Sequence, residues 1–158
     1  MPSLTREEAK MLGRRAEQPV RAPGELLAVF VPGKLVNPLN ASAWGWQKRS
    51  RAARAWKDRA AAAIYEAAVG DRSCVFDFRF VKQMDGLGAK RVVFLASVFN
   101  RFDGDGLQAA LKPVRDALVE CGVVSGDAER DGHLWEYYQR IDRARRGVEV
   151  RVALRERP

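Results

Sequence analysis

Between residues 91 and 121 the hydrophobic pattern changes period once, and abruptly. Val92, Val93, Phe94, Leu95, Val98 and Phe99 put apolar side chains on both faces of an extended segment, as in a strand covered on both sides within a sheet. The run ends in Asn100-Arg101-Phe102-Asp103-Gly104-Asp105-Gly106, and from there Leu107, Leu111, Val114 and Leu118 recur at helical spacing as far as Gly122. A buried strand that turns directly into an amphipathic helix commits the chain to a layered arrangement with helices packed on a sheet. The spacing predicts a helix over 105–121. Asp105 and Gln108 have the form of a capping box, and Pro113 is expected to kink the helix.

The flanking segments fit the same class. Residues 26–31 read as a first strand, stopped by Pro32-Gly33, and Trp44 and Trp46 fall in a loop. Over 47–69, Trp56, Ala60, Ala63, Ile64 and Ala67 share one helical face. Residues 74–82 alternate as a half-buried strand and should form a hairpin with 91–99. Residues 134–142 and the alternating Val148, Val150, Val152 and Leu154 are closing strands, separated by an Arg-rich turn. The expected class is therefore α/β or α+β: a mixed sheet of about five strands with two main helices, in the order β-α-β-β-α-β-β. Residues 1–24 read as a flexible arm and 25–158 as one domain, consistent with 158 residues of which 47% are hydrophobic.

Charge narrows the function. A formal net charge of +8 favours a polyanionic partner, because Lys and Arg that neutralise phosphates release counterions from nucleic acid. No run approaches the length of a membrane span and residues 1–17 are charged, so no membrane partner and a soluble, intracellular protein are expected. Cys74 and Cys121 lack a CxxC pattern and are joined by only one histidine, His133, too few soft ligands for structural zinc.

The acidic segment carries the chemistry. Mg²⁺ takes oxygen ligands and keeps several waters, so two or three converging carboxylates suffice for a phosphodiesterase centre. Asp103 and Asp105 leave the strand two residues apart, Gly104 and Gly106 keep the approach open, and Asp127 belongs to the segment returning after the helix. The same tetrapeptide is also a good turn, with Asp105 as a simple helix cap. An EF-hand loop is excluded: counted from Asp103, the fifth, sixth and twelfth positions are Leu107, Gln108 and Val114.

With these residues in order, the chain resembles the RusA family of Holliday junction resolvases. The family pattern is Asp-x-Asp-Asn opening a helix, a Lys within it, Asp-Ala-Leu four residues later, then Gly-Val-hydrophobic and an acidic pair. Here stand Asp103-Gly104-Asp105-Gly106, Lys112, Asp116-Ala117-Leu118 and Gly122-Val123-Val124-Ser125-Gly126-Asp127, while Pro38-Leu39-Asn40 is similar to the family's N-terminal loop. Three departures are visible. Gly106 replaces Asn, Lys112 lies about three residues further on than usual, and Gly126 replaces the first acid of the pair.

The resemblance implies a bacterial or phage-encoded, cytoplasmic, homodimeric endodeoxyribonuclease that cuts four-way DNA symmetrically. Asp103, Asp105 and Asp127 would hold Mg²⁺, or Mn²⁺ in its place, and Lys112 would serve catalysis at the scissile phosphate. A DNA-tracking surface is expected from Lys34, Lys48, Arg49, Arg51, Arg54, Lys57, Arg143, Arg145 and Arg146, although a solvated helix face explains the same charges. The edge of strand 74–82 is the candidate dimer contact. Trp44 and Trp46 could stack on bases or pack internally, Phe102 could wedge into a junction or lie under the helix, and His133 reads as an ordinary polar residue. The rival function is a non-catalytic branched-DNA-binding module with a degenerate acidic site. A nucleotide-hydrolysing enzyme lacks its P-loop here.

Overall fold

The structure, a computed structural model, describes residues 18–38, 45–69 and 87–156. In chain order these form β1 (Glu25–Pro32), α1 (Trp46–Val69), β2 (Lys90–Val98), α2 (Gly104–Glu120), a 3₁₀ turn (Glu129–Asp131), β3 (Leu134–Ile141) and β4 (Gly147–Leu154). The mixed α+β class is as expected. The described strands make one sheet of four in the order β1-β4-β2-β3, rather than about five. The expected strand 74–82, its hairpin, its dimer edge, Trp44 and most of the N-terminal arm lie outside the described residues.

Local patterns explain each element. In β2 the inward residues Val92, Phe94, Ala96 and Val98 are buried, while Val93 and Leu95 on the opposite face are only partly so. The strand is interior to the sheet as its composition suggests, but not equally covered on both faces. Helix α2 buries Leu107, Ala110, Leu111, Val114, Ala117 and Leu118, and α1 contributes Trp56, Ala60 and Ile64 to the same core. Trp46 is the first residue of α1 rather than part of a loop. Pro113 sits inside α2, which runs through it as one element.

Pairing sets up the site. β2 and β3 are parallel and joined through α2, whereas β4 is antiparallel to both β1 and β2. The consecutive strands β3 and β4 therefore do not pair, because β2 lies between them. Their linking turn, 142–146, passes across the end of β2, where the Asp142 N–H donates to the Val98 carbonyl at 3.0 Å. The register places Pro32 opposite Gly147, Gly147 opposite Ser97, and Ser97 beside Arg140. The exits of β1, β2 and β3 thus gather at one end of the sheet, a usual position for ligand sites in open α/β sheets. Before β1, Gln18 docks on the strand: its amide donates to the Phe30 carbonyl at 3.1 Å and its oxygen accepts from the Phe30 N–H at 2.9 Å.

Candidate metal and nucleic-acid site

The acidic segment begins one turn beyond β2 and is held by main-chain contacts. Gln139, on β3, grips Phe102 from both sides, its oxygen accepting from the Phe102 N–H at 2.8 Å and its amide donating to the Phe102 carbonyl at 2.7 Å. The next residue, Asp103, is the true N-cap of α2. Its backbone is extended and its Oδ1 accepts the Gly106 N–H at 2.7 Å, satisfying one of the donors that a helix start leaves open. Asp105 is not the cap; it stands exposed in the first turn and makes no hydrogen bond or ion pair among the described residues. The helix start adds partial positive charge that favours anions.

Gly106 has a specific structural reason. A Cβ there would overlap Asp103 Oδ1 and the Asn37 amide nitrogen, and would lie 3.0 Å from Asn37 Cγ. The carboxamide of Asn37, from the loop after β1, therefore fills the volume beside Asp103 that a side chain at 106 would need. Asn37 escapes sequence reading because one loop asparagine carries no periodic signal. Gly126 repeats the arrangement: a Cβ would lie 3.0 Å from Asp131 Cγ and 3.3 Å from its Oδ1, so the Asp131 carboxylate occupies that space while accepting the Ala128 N–H at 3.1 Å.

The segment after α2 folds back along the helix and brings Asp127 to its middle. The Asp127 carboxylate lies 3.8 Å from both Lys112 Nζ and an Arg115 nitrogen, and Lys112 also bonds Asp116 at 3.2 Å. Arg115 is the second residue that sequence reasoning missed. Its guanidinium is largely buried over the Trp135 ring at 4.4 Å, donates to the Tyr137 hydroxyl at 2.7 Å and reaches the Asp127 carbonyl at 3.3 Å. Burial holds the Tyr137 phenol above its ordinary pKa against the opposing pull of Arg115. His133 acts structurally. Its Nδ1 accepts the Lys90 N–H at 2.9 Å, which leaves Nε2 in a neutral ring to donate to Ser125 Oγ at 2.9 Å, the wrong direction for activating a serine.

Carboxylates are the donors a hard divalent cation takes, and Mg²⁺ bound with substrate phosphates needs only one or two from the protein. Asp103 and Asp105, both exposed at the head of α2, fit that requirement. Asp127 is compensated by Lys112 and Arg115, and Lys112 starts about 10 Å further along the helix axis than Asp105. Among the described residues no three His, Cys, Asp or Glu side chains form a group that could hold a metal ion.

The expected basic surface divides into parts. Lys34, Arg143 and Arg146 surround the strand exits and are exposed. Arg143 and Arg146 lie over the Phe99 ring at 4.5 and 5.8 Å, whereas Arg145 packs over Phe30 at 4.0 Å and is only partly exposed. On α1, Lys48, Arg49, Arg51 and Arg54 are exposed, but Lys57 pairs with Glu120 of α2 at 2.7 Å. The middle of α1 is tied to the β1 exit by Trp56 Nε1 donating to the Lys34 carbonyl at 3.1 Å. No described helix is long and apolar enough to cross a membrane. Comparison with protein-family models and with curated proteins finds no match for this chain.

Proposed function

We propose that this chain is a Mg²⁺-dependent, structure-specific endodeoxyribonuclease that resolves four-way DNA junctions by symmetric phosphodiester hydrolysis in recombination and repair. It would act as a cytoplasmic homodimer, since a two-fold symmetric junction cut on opposed strands needs two centres in one assembly. The observation that carries this reading is the meeting of Asp103 and Asp105 with the cations Lys34, Arg143 and Arg146 at one end of the sheet. The ordered resemblance to RusA resolvases supports it. Asp103 and Asp105 are the proposed carboxylates for Mg²⁺ or Mn²⁺; Asp127, expected from the sequence as a third, lies instead against Lys112 and Arg115.

The divalent cation would supply Lewis-acid polarisation of the phosphate and activation of water near neutral pH. The chain's own part is positional. Asp103 is fixed through one oxygen by the Gly106 N–H, Asp105 projects from the same turn, and the helix start offers a favourable field to a phosphate. Lys112, with its ammonium on the exposed side of α2, would offset charge developing at the phosphate. The basic residues at the strand exits and on α1 would follow the DNA backbone.

A second reading is favoured by one observation, the compensation of Asp127 by Lys112 and Arg115: a branched-DNA-binding module that does not cut. Labelled four-way junction and matched duplex, incubated with Mg²⁺ or EDTA beside Asp105→Asn, separate the two. The nuclease reading expects paired nicks in the junction alone, lost with EDTA and in the variant while binding persists. Tight binding without cleavage would establish the module, and cleavage indifferent to Asp105→Asn would remove the site assignment.

A further inference from the structure

A cavity of about 290 Å³ opens at the exits of β1 and β2, directly beside the acidic segment. Its apolar walls come from Leu35, Phe99 and Phe102, and two cations, Lys34 and Arg146, stand in its lining with Asn100. Among the described residues no carboxylate lines it, and neither Lys34 nor Arg146 has an acidic partner. Phe102, one wall of the cavity, immediately precedes Asp103.

From these features we infer that the cavity is a subsite for one unpaired nucleotide of the DNA. Its base lies against the Phe99 and Phe102 wall and its phosphate between Lys34 and Arg146. Size supports this choice. The volume is near the lower end of small-molecule sites, which run from about 300 Å³, so it admits a single nucleotide and no base-paired segment. Chemistry supports it as well. Unpaired bases are recognised by aromatic rings and guanidinium planes, and Phe99 is 45% exposed with Arg143 and Arg146 over its ring. The cations supply the charge complement of a phosphodiester. Because the wall residue Phe102 leads into Asp103, a nucleotide held here would put the adjoining phosphodiester at the head of α2. Selection for branched DNA then follows from a requirement for strands already unpaired at the branch point.

The inference rests on the nuclease reading, and its test is kept separate from cutting. Binding is measured by anisotropy in EDTA, comparing a four-way junction with three unpaired nucleotides at the branch against fully paired duplex of equal length. Phe99→Ala should weaken binding of the junction about tenfold, the scale of one base stack, and leave duplex binding within about twofold. Lys34→Gln, an exposed change, should give a smaller loss with the same preference. Equal losses on both DNAs, or no loss on either with far-ultraviolet circular dichroism unchanged, would overturn the subsite. A parallel Mg²⁺ assay of wild-type protein tells the two readings apart. Cutting by wild type with no Phe99 effect would remove the subsite alone, and a junction-selective Phe99 effect without cutting would remove only the nuclease.

Discussion

The two ends of the candidate site are held by different physics. At the head of α2, Asp103 is fixed by the Gly106 N–H, the preceding main chain is gripped by Gln139, and Asn37 fills the space over Gly106. Along the flank, Asp127 is held mainly by Lys112 and Arg115 at 3.8 Å, contacts between charges that are substantially exposed except for Arg115. Short, directed hydrogen bonds fix one carboxylate in orientation; longer ionic contacts leave the other able to exchange partners. The head is therefore the preformed part of the site, and the flank is the part that responds to ligand and salt.

The sharpest test of that contrast is Asp105→Asn. It removes a charge that has no described partner, so cleavage of a junction should fall about a hundredfold or more while the thermal midpoint stays within experimental error. A large drop in midpoint would show that Asp105 is structural. Next is Gly106→Ala, which forces a methyl group into Asn37 and Asp103; denaturant titration should show a loss of about 1–3 kcal/mol. Its neighbour is the control. A Cβ at Gly104 meets nothing within 4 Å, so Gly104→Ala in the same helical turn should gain about 0.4–1 kcal/mol. Equal effects at the two glycines would mean that Asn37 does not hold the head.

The flank should lose less stability than Gly106→Ala costs the head. Lys112→Ala removes contacts from a side chain that is 64% exposed, and should cost less than about 1 kcal/mol, a difference that shrinks further in high salt. Were Lys112→Ala to destabilise as strongly as Gly106→Ala, the flank would be as preformed as the head.

The same division explains what was legible in the sequence. The apolar run of β2 and the Leu107, Leu111, Val114, Leu118 stripe were readable because local period reports burial, and both lie where expected. Strand order was not readable. Val148, Val150 and Val152 specify a buried face, but nothing in them says that β4 lies between β1 and β2 instead of beside β3. In the site, Asp103 was recognisable from its motif, yet the capping role was expected of Asp105; the helix starts earlier than that, and Asp103 caps it by accepting the Gly106 N–H. Arg115 and Asn37 left no trace because their importance depends on Trp135, Tyr137 and Gly106, brought close only by the fold.

The central position of β4 has a consequence for how the protein is made. Among the described strands, β1 joins the sheet only through β4, with Glu25 facing Ala153, so the earliest strand to leave the ribosome pairs with the latest. Gln139 likewise reaches Phe102 across 37 residues. Contacts so distant in sequence form slowly, because the intervening chain must be ordered before they can offset its lost entropy. The acidic head is gripped only once Gln139 has been made, so a nascent chain that has already exposed its basic helix α1 still lacks the contact that fixes the main chain ahead of Asp103.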